Sequence, residues 1–368
     1  MRSIAEPGVY DQPSHQVDHG YHFVGPVGRG VVRIHVFEFI CGGGLTGVPI
    51  PAQLAREGDL MLVALIQDLL ALPGVQVSFA RDARLAPLAN ARLGGARVCW
   101  RASDGAPHDA LEREIAASDA ICPIAPETGG ELERAARAVL GAGRMLLGPD
   151  PDAIALAGSK LATAHRLEQA GIGVVPCFGP GSAWAAIDGP WVVKPDDGAG
   201  CVDMRVFGSR EQAAAAAALP GARTALTAQP WIDGEAMSLC ALAAPGRVQV
   251  LSVNRQQVRL VDGAVELAAI EVNCEPVTAP LAALAERVAA AIPGLRGYFG
   301  IDFVRTGAGP VVIEVNPRLT SSYAGLRPAL GLNVAEWMVA AATGAPLPAM
   351  RGTPGRAIRL SLNGDETG

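Results

Sequence analysis

The segment from Tyr298 to Arg318, YFGIDFVRTGAGPVVIEVNPR, constrains this chain more than any other. Two apolar runs flank Thr306-Gly307-Ala308-Gly309-Pro310, a spacing that predicts a β-hairpin. With Arg305 paired to Val311, Asp302 falls directly opposite Glu314, and Gly300 opposite Asn316. Like charges facing each other destabilise a strand pair, and a low dielectric sharpens the conflict. A cation between them resolves it. Alternation puts Asp302, Glu314 and Asn316 on one face and Ile301, Phe303, Ile313 and Val315 on the other. Two carboxylates and an amide oxygen are hard donors, suited to Mg2+ shared with substrate phosphates more than to zinc. The competing reading is the solvated face of an edge hairpin with no ligand.

Two further segments supply cations. In PWVVKPDDGAGCVDM, Lys194 ends an apolar strand, and Gly198 and Gly200 make a turn whose backbone N–H groups suit phosphate oxygens. An ordinary surface turn is the alternative. In AGSKLATAHRL, Lys160 stands in the first turn of a predicted helix, where a positive charge opposes the helix dipole. A bound anion removes that conflict; a solvated lysine is the plainer alternative.

The rest of the chain gives these segments a frame. Its 368 residues allow two or three domains. From Val31 to about residue 150, strand and helix alternate: VVRIHVFEFI, a helix from Asp59 to Leu72, VQVSF, RVCW, a helix near 109–117, AICPIAP, a helix near 130–141, and RMLLG. That order predicts an open α/β sheet covered on both faces. After Pro149-Asp150-Pro151 the pattern becomes α+β, with a small lid followed by an antiparallel sheet with helices. Residues 1–30 have no period and read as a flexible extension; His15, His19 and His22 there lack the supporting shell of a metal site. The loop from Gly42 to Gly47 matches G-x-G-x-x-G after a strand. Pro49 and Pro51 follow where a phosphate-binding helix should open, so a tight turn is the better reading than a dinucleotide site.

A net charge of −6 with scattered basic residues offers no footprint for nucleic acid. No apolar run approaches the ~20 residues that cross a bilayer, and the first thirty residues lack the apolar middle of a signal peptide. Seven widely spaced cysteines without a C-x-x-C pair indicate neither zinc nor a disulfide framework. A cytoplasmic protein acting on small molecules is expected.

The ordered set Ser159-Lys160, VVKP with DGAG, QPWIDGEAMS, and GIDFV with IEVNPR resembles the ATP-grasp superfamily of carboxylate–amine ligases across roughly residues 150–345. The resemblance implies an ATP-grasp fold with an N-terminal open α/β pre-ATP-grasp domain over 31–150. It further implies a lid and nucleotide subdomain over 151–240, a C-terminal antiparallel-sheet subdomain with the metal site over 241–350, and a terminal strand and tail over 351–368. ATP would lie between lid and sheet. Lys160 and Lys194 would contact its phosphates, the loop Asp197, Gly198, Ala199 and Gly200 would close over them, and Gln229, Trp231 and Ile232 would form the hinge at adenine. Asp302, Glu314 and Asn316 would hold two Mg2+ ions, with Mn2+ as a substitute. Arg318 and Lys194 would be catalytic, and Ser321 and Ser322 would hold substrate carboxylates. An acyl phosphate formed from ATP would then be attacked by an amine, and related ligases are often homodimers.

Two departures stand out. Many members carry Glu where Gln229 stands, and the usual ribose-binding acid falls on Ala236, with Glu235 one place earlier: either Glu235 reaches the ribose after a local shift or that contact is missing. More narrowly, FEFICGGGL, LSVNRQQV and EVNCEP resemble the branch that includes tyramine–glutamate ligase of methanofuran biosynthesis. This implies that Glu38, Gly43 and Gly44 border the amine or amino-acid pocket, approached by Arg255 and Gln256. Arg255 would suit a substrate carboxylate; a surface salt bridge is its alternative. A non-catalytic nucleotide sensor and a dinucleotide-dependent oxidoreductase are the competing functions.

Overall fold

The computed structural model describes residues 31–89, 93–101, 107–218, 225–345, 347 and 355–362. The reading of residues 1–30 as an extension, His15, His19 and His22 included, lies outside the described residues.

The N-terminal body alternates strand and helix as the pattern predicts: β1 (Val32–Glu38), α1 (Ala52–Leu70), β2 (Val75–Asp82), β3 (Arg97–Arg101), α2 (Pro107–Ala117), β4 (Ala120–Ile124), α3 (Glu131–Gly141) and β5 (Met145–Leu146). Its five strands are parallel, in the order β3-β2-β1-β4-β5. The helix α1 opens at Ala52, seven residues before the expected Asp59, because Pro51 serves as its N-cap and needs no N–H. Leu62, Leu65, Ile66 and Leu69 recur at helical spacing and are fully buried. Past Leu70 the chain turns through Gly74, whose φ of +75° favours glycine.

Next come α4 (Pro151–Gly158), α5 (Lys160–Gln169), β6 (Trp191–Pro195), β7 (Arg205–Phe207), α6 (Arg210–Ala217) and β8 (Leu226–Pro230). The long strands β9 (Glu235–Ala244), β10 (Arg247–Val261) and β11 (Ala264–Glu275) lead to α7 (Ala279–Ala291), β12 (Gly297–Thr306), β13 (Gly309–Asn316), α8 (Tyr323–Leu330), α9 (Val334–Thr343) and β14 (Ile358–Ser361). These strands form one antiparallel sheet in the order β13-β12-β9-β10-β11-β7-β6-β8, with β14 on β11. The elements α4, β11 and α8 have no counterpart in the sequence reading. The Ala-rich stretch of β11 does not alternate cleanly, because both faces of the strand are covered: Val272 packs in the core with Tyr323 and Leu326 of α8, while Val265 and Leu267 line a cavity on the sheet.

One apolar core spans both bodies. Leu62, Leu65 and Ile66 of α1 join Tyr323 and Leu326 of α8 and Trp337 of α9. At its margin Asp68 accepts hydrogen bonds from Tyr323 (2.8 Å) and Arg327 (2.9 Å). A second core lies under β9, β12 and α7. The helix α1 of the parallel sheet is thereby packed on α8 and α9, which lie against the antiparallel sheet.

Candidate active site

The hairpin β12–β13 places Asp302 directly opposite Glu314 and Gly300 opposite Asn316. The turn end does not follow the expected register: Arg305 pairs with Pro310, not Val311. A bulge after Asp302 absorbs the difference, with Ile313 as the extra residue. Ile313 therefore leaves the apolar face expected for it and lines the cavity, while Val312 takes its place in the core.

That cavity, about 640 Å3, lies between the β6–β8 strands and the face of β9, β10 and β12. Its volume is within the usual range for small-molecule sites. Period-two alternation decides which side chains reach it. On β6, Val192 and Lys194 line it while Trp191 and Val193 pack under α6. On β12, Gly300, Asp302 and Val304 line it, with Ile301 and Phe303 behind. Gln229, Trp231, Ile232, Gln256, Glu314, Asn316, Arg318, Ser321, Ser322 and Gly200 complete the predicted residues it gathers.

The charges are tightly coupled. Asp302 accepts hydrogen bonds from Gln256 (3.0 Å) and Asn316 (3.1 Å). Burial, then repulsion from Glu314, raises the Asp302 carboxyl above the usual carboxylate range. Burial opposes the ionisation of Glu314 too, but Lys160, Lys194 and Arg318 together outweigh it and hold that carboxyl low. Lys160 Nζ lies 3.5 Å from Glu314. Burial lowers Lys194, Glu314 opposes that, and neighbouring Lys160 adds to it. Arg318 is clamped by Glu127, its Nε at 3.1 and 3.2 Å from the two carboxylate oxygens.

The donor chemistry fits a hard cation. Asp302, Glu314 and Asn316 offer oxygen donors at one point of the cavity wall, and a Cβ at Gly300 would come within 2.8 Å of Thr320.

Several expected positions lie elsewhere. The anion at the α5 N-terminus is the chain's own Asp196, which accepts hydrogen bonds from Ser159 Oγ (2.6 Å) and the Leu161 N–H (2.9 Å). Lys160 bends into the Gly198 carbonyl and so reaches Glu314. Asp197 turns to the N-terminal body, accepting from the Gly129 N–H at 2.8 Å. Glu235 is not in the cavity: it is half exposed and paired with Arg255 (3.6 Å) and Arg305 (3.3 Å), and the pleat gives Ala236 to the cavity instead. The same alternation sends Gln256 inward and leaves Arg255 on Glu271 at 2.8 Å, the surface salt bridge.

Glu38, Gly43 and Gly44 do not line the cavity either. Glu38 is buried and folds back to accept the Cys41 N–H at 2.6 Å. A Cβ at Gly44 would strike the Phe39 ring at 2.5 Å, so this loop uses its glycines for the turn. Two acids absent from the sequence reading take part: Glu57, from α1, lines the cavity, and Glu127, just past β4, clamps Arg318. The signal for both is position, since ligands of open α/β sheets collect beyond the carboxyl ends of the strands.

Two family models match the chain: the ATP-grasp domain over residues 157–322 and the pre ATP-grasp 3 domain over 75–154. No curated protein matches it by sequence. Among solved structures it is similar to an ATP-grasp superfamily protein from Archaeoglobus fulgidus (TM-score 0.64, 22% identity, 87% of this chain and 90% of that one). It is also similar to an L-amino acid ligase from Bacillus licheniformis (TM-score 0.63, 16% identity, 85% and 75%). A third is the biotin carboxylase domain of 2-oxoglutarate carboxylase from Hydrogenobacter thermophilus, in complex with MgADP (TM-score 0.63, 17% identity, 88% and 72%). At these identities the likeness concerns the fold. With an antiparallel sheet whose cavity holds paired acids and a buried lysine, joined to an open parallel sheet, the chain belongs to the ATP-grasp superfamily and carries a pre-ATP-grasp domain ahead of the ATP-grasp domain.

Proposed function

We propose that the protein is an ATP-dependent ligase that joins a carboxylate to an amine, releasing ADP and phosphate. The observation that carries this reading is Asp302 facing Glu314 on a cavity wall that also holds Lys194 and Arg318, with Lys160 against Glu314. A solved relative in fold named as an L-amino acid ligase supports the reaction class.

A carboxylate is a poor acyl donor, and transfer of the ATP γ-phosphoryl group to its oxygen gives an acyl phosphate with a good leaving group. Lys160 and Lys194 hold phosphate oxygens, and Arg318 holds charge on the transferred group, so catalysis is positioning and electrostatics. Asp302, Glu314 and Asn316 would hold Mg2+, two ions in this reading and replaceable by Mn2+, which would neutralise phosphate charge. Gln229, Trp231 and Ile232 receive adenine. The Gly198–Gly200 loop covers the phosphates, and residues 151–240 act as the lid that excludes water from the acyl phosphate. Residues 31–150, 241–350 and 351–368 are the remaining units of this proposal.

The finer assignment is tyramine with L-glutamate, as in methanofuran biosynthesis, in a cytoplasmic enzyme that forms homodimers. No helix among the described residues is long and apolar enough to cross a membrane. The test is phosphate release over a matrix of amines and amino acids. Tyramine with glutamate gives the largest signal in this reading; another pair giving it replaces the substrates, and no pair giving any removes the ligase.

A further inference from the structure

Three carboxylates line the cavity, and the phosphate chemistry uses two of them, Asp302 and Glu314. The third, Glu57, reaches in from α1 of the pre-ATP-grasp body. Its hydrogen-bond donors are neutral: the Ser321 hydroxyl at 3.2 Å and the Gln53 amide at 3.3 Å. Two cations act on its charge without bonding to it: Arg318, which is clamped by Glu127 and donates to the Leu319 carbonyl at 3.2 Å, and, more weakly, its chain neighbour Arg56. A carboxylate has about four acceptor positions, so Glu57 keeps acceptor capacity toward the cavity.

We infer that Glu57 receives the alkylammonium group of a substrate, and so fixes the cationic end of that substrate at α1, beside Ser321. This rests on the ligase reading above. Burial pushes the Glu57 carboxyl above its usual range, and a cation bound against it offsets that loss of hydration. An anionic substrate group is repelled from the same place. Substrate carboxylates are thereby directed to the lysines and Arg318, and ammonium groups to α1. The ammonium group belongs either to the attacking amine or to an amino-acid donor.

The experiment compares the wild type with Glu57→Gln and Glu57→Asp, using thermal denaturation to check the fold. Gln removes the charge, keeps an acceptor oxygen for the Ser321 hydroxyl and meets Gln53 once that amide turns its own oxygen round; Asp restores the charge on a shorter stem. In one arm ADP release is followed with a matrix of alkylamines and amino acids. In the other, hydroxylamine, neutral at the assay pH, traps acyl phosphate as hydroxamate, so the amino-acid donor brings the only ammonium group. Losing a desolvated charge partner predicts a rise in KM of at least about tenfold for Glu57→Gln, partly reversed by Glu57→Asp. A rise confined to the alkylamine arm assigns Glu57 to the attacking amine; a rise in both arms assigns it to the donor. Unchanged KM in both arms overturns the inference and leaves the ligase standing. A wild type that binds Mg·ATP yet turns over in neither arm overturns both.

Discussion

Arg318, two residues past the end of β13, is held by Glu127 of the parallel-sheet body at 3.1 Å, across an interface where both side chains are nearly buried. Burial opposes charging Arg318, and Glu127 more than offsets it, so the guanidinium stays charged at the cavity wall. The two bodies therefore meet at the residue proposed to hold the transferred phosphoryl group.

Removing Glu127 leaves a buried cation without its partner. Glu127→Ala should lower the unfolding free energy by about 3 kcal/mol, read from urea denaturation. ADP release should fall by at least about tenfold, because Arg318 is free to swing onto Glu314. Full activity in a destabilised variant would confine Glu127 to a structural role.

Glu38 gives a pH test independent of the cavity. Burial, only partly countered by hydrogen bonds from the Cys41 and Ile40 backbone, pushes its carboxyl up to about 7. With the folded value above the unfolded one, the stability it contributes is full at low pH and lost as pH rises through about 7. Glu38→Gln, a neutral mimic, should match the wild type below about pH 4 and exceed it by about 1–3 kcal/mol near pH 8. Parallel stability profiles for the two proteins would contradict this.

Arg255 should be dispensable for nucleotide binding. It is exposed and paired with Glu271 and Glu235 on the side of the sheet away from the cavity. Arg255→Ala should change stability by less than about 1 kcal/mol and the Kd for Mg·ATP by less than about twofold. A larger loss of affinity by calorimetric titration would return Arg255 to the site.

The pairing of Asp302 with Glu314 was legible because two acids in apolar strands joined by a glycine turn leave few registers. The pair at the turn was not, since a bulge is a property of two strands together and the sequence of β13 does not mark Ile313 as its extra residue. Alternation, applied to β9 and β10, separates Ala236 from Glu235 and Gln256 from Arg255 once the strand pairing is known. Sequence alone gives the two faces without saying which one meets the cavity. Lys160 was found through its conflict with the helix dipole, but the relieving anion is Asp196, 36 residues away in the chain. Glu57 and Glu127 escaped notice because each serves a partner more than 190 positions distant. Nothing local distinguishes them from solvated helix and loop acids.

Calorimetric titration of Mg·ATP into the wild type, Asp302→Asn and Glu314→Gln tests the central claim most directly. The wild type should bind Mg·ATP, lose that binding when the divalent ion is chelated, and exceed both variants in affinity by at least about 100-fold with the fold intact. A well-folded wild type that takes up no Mg·ATP, or variants that bind it as the wild type does, would contradict it.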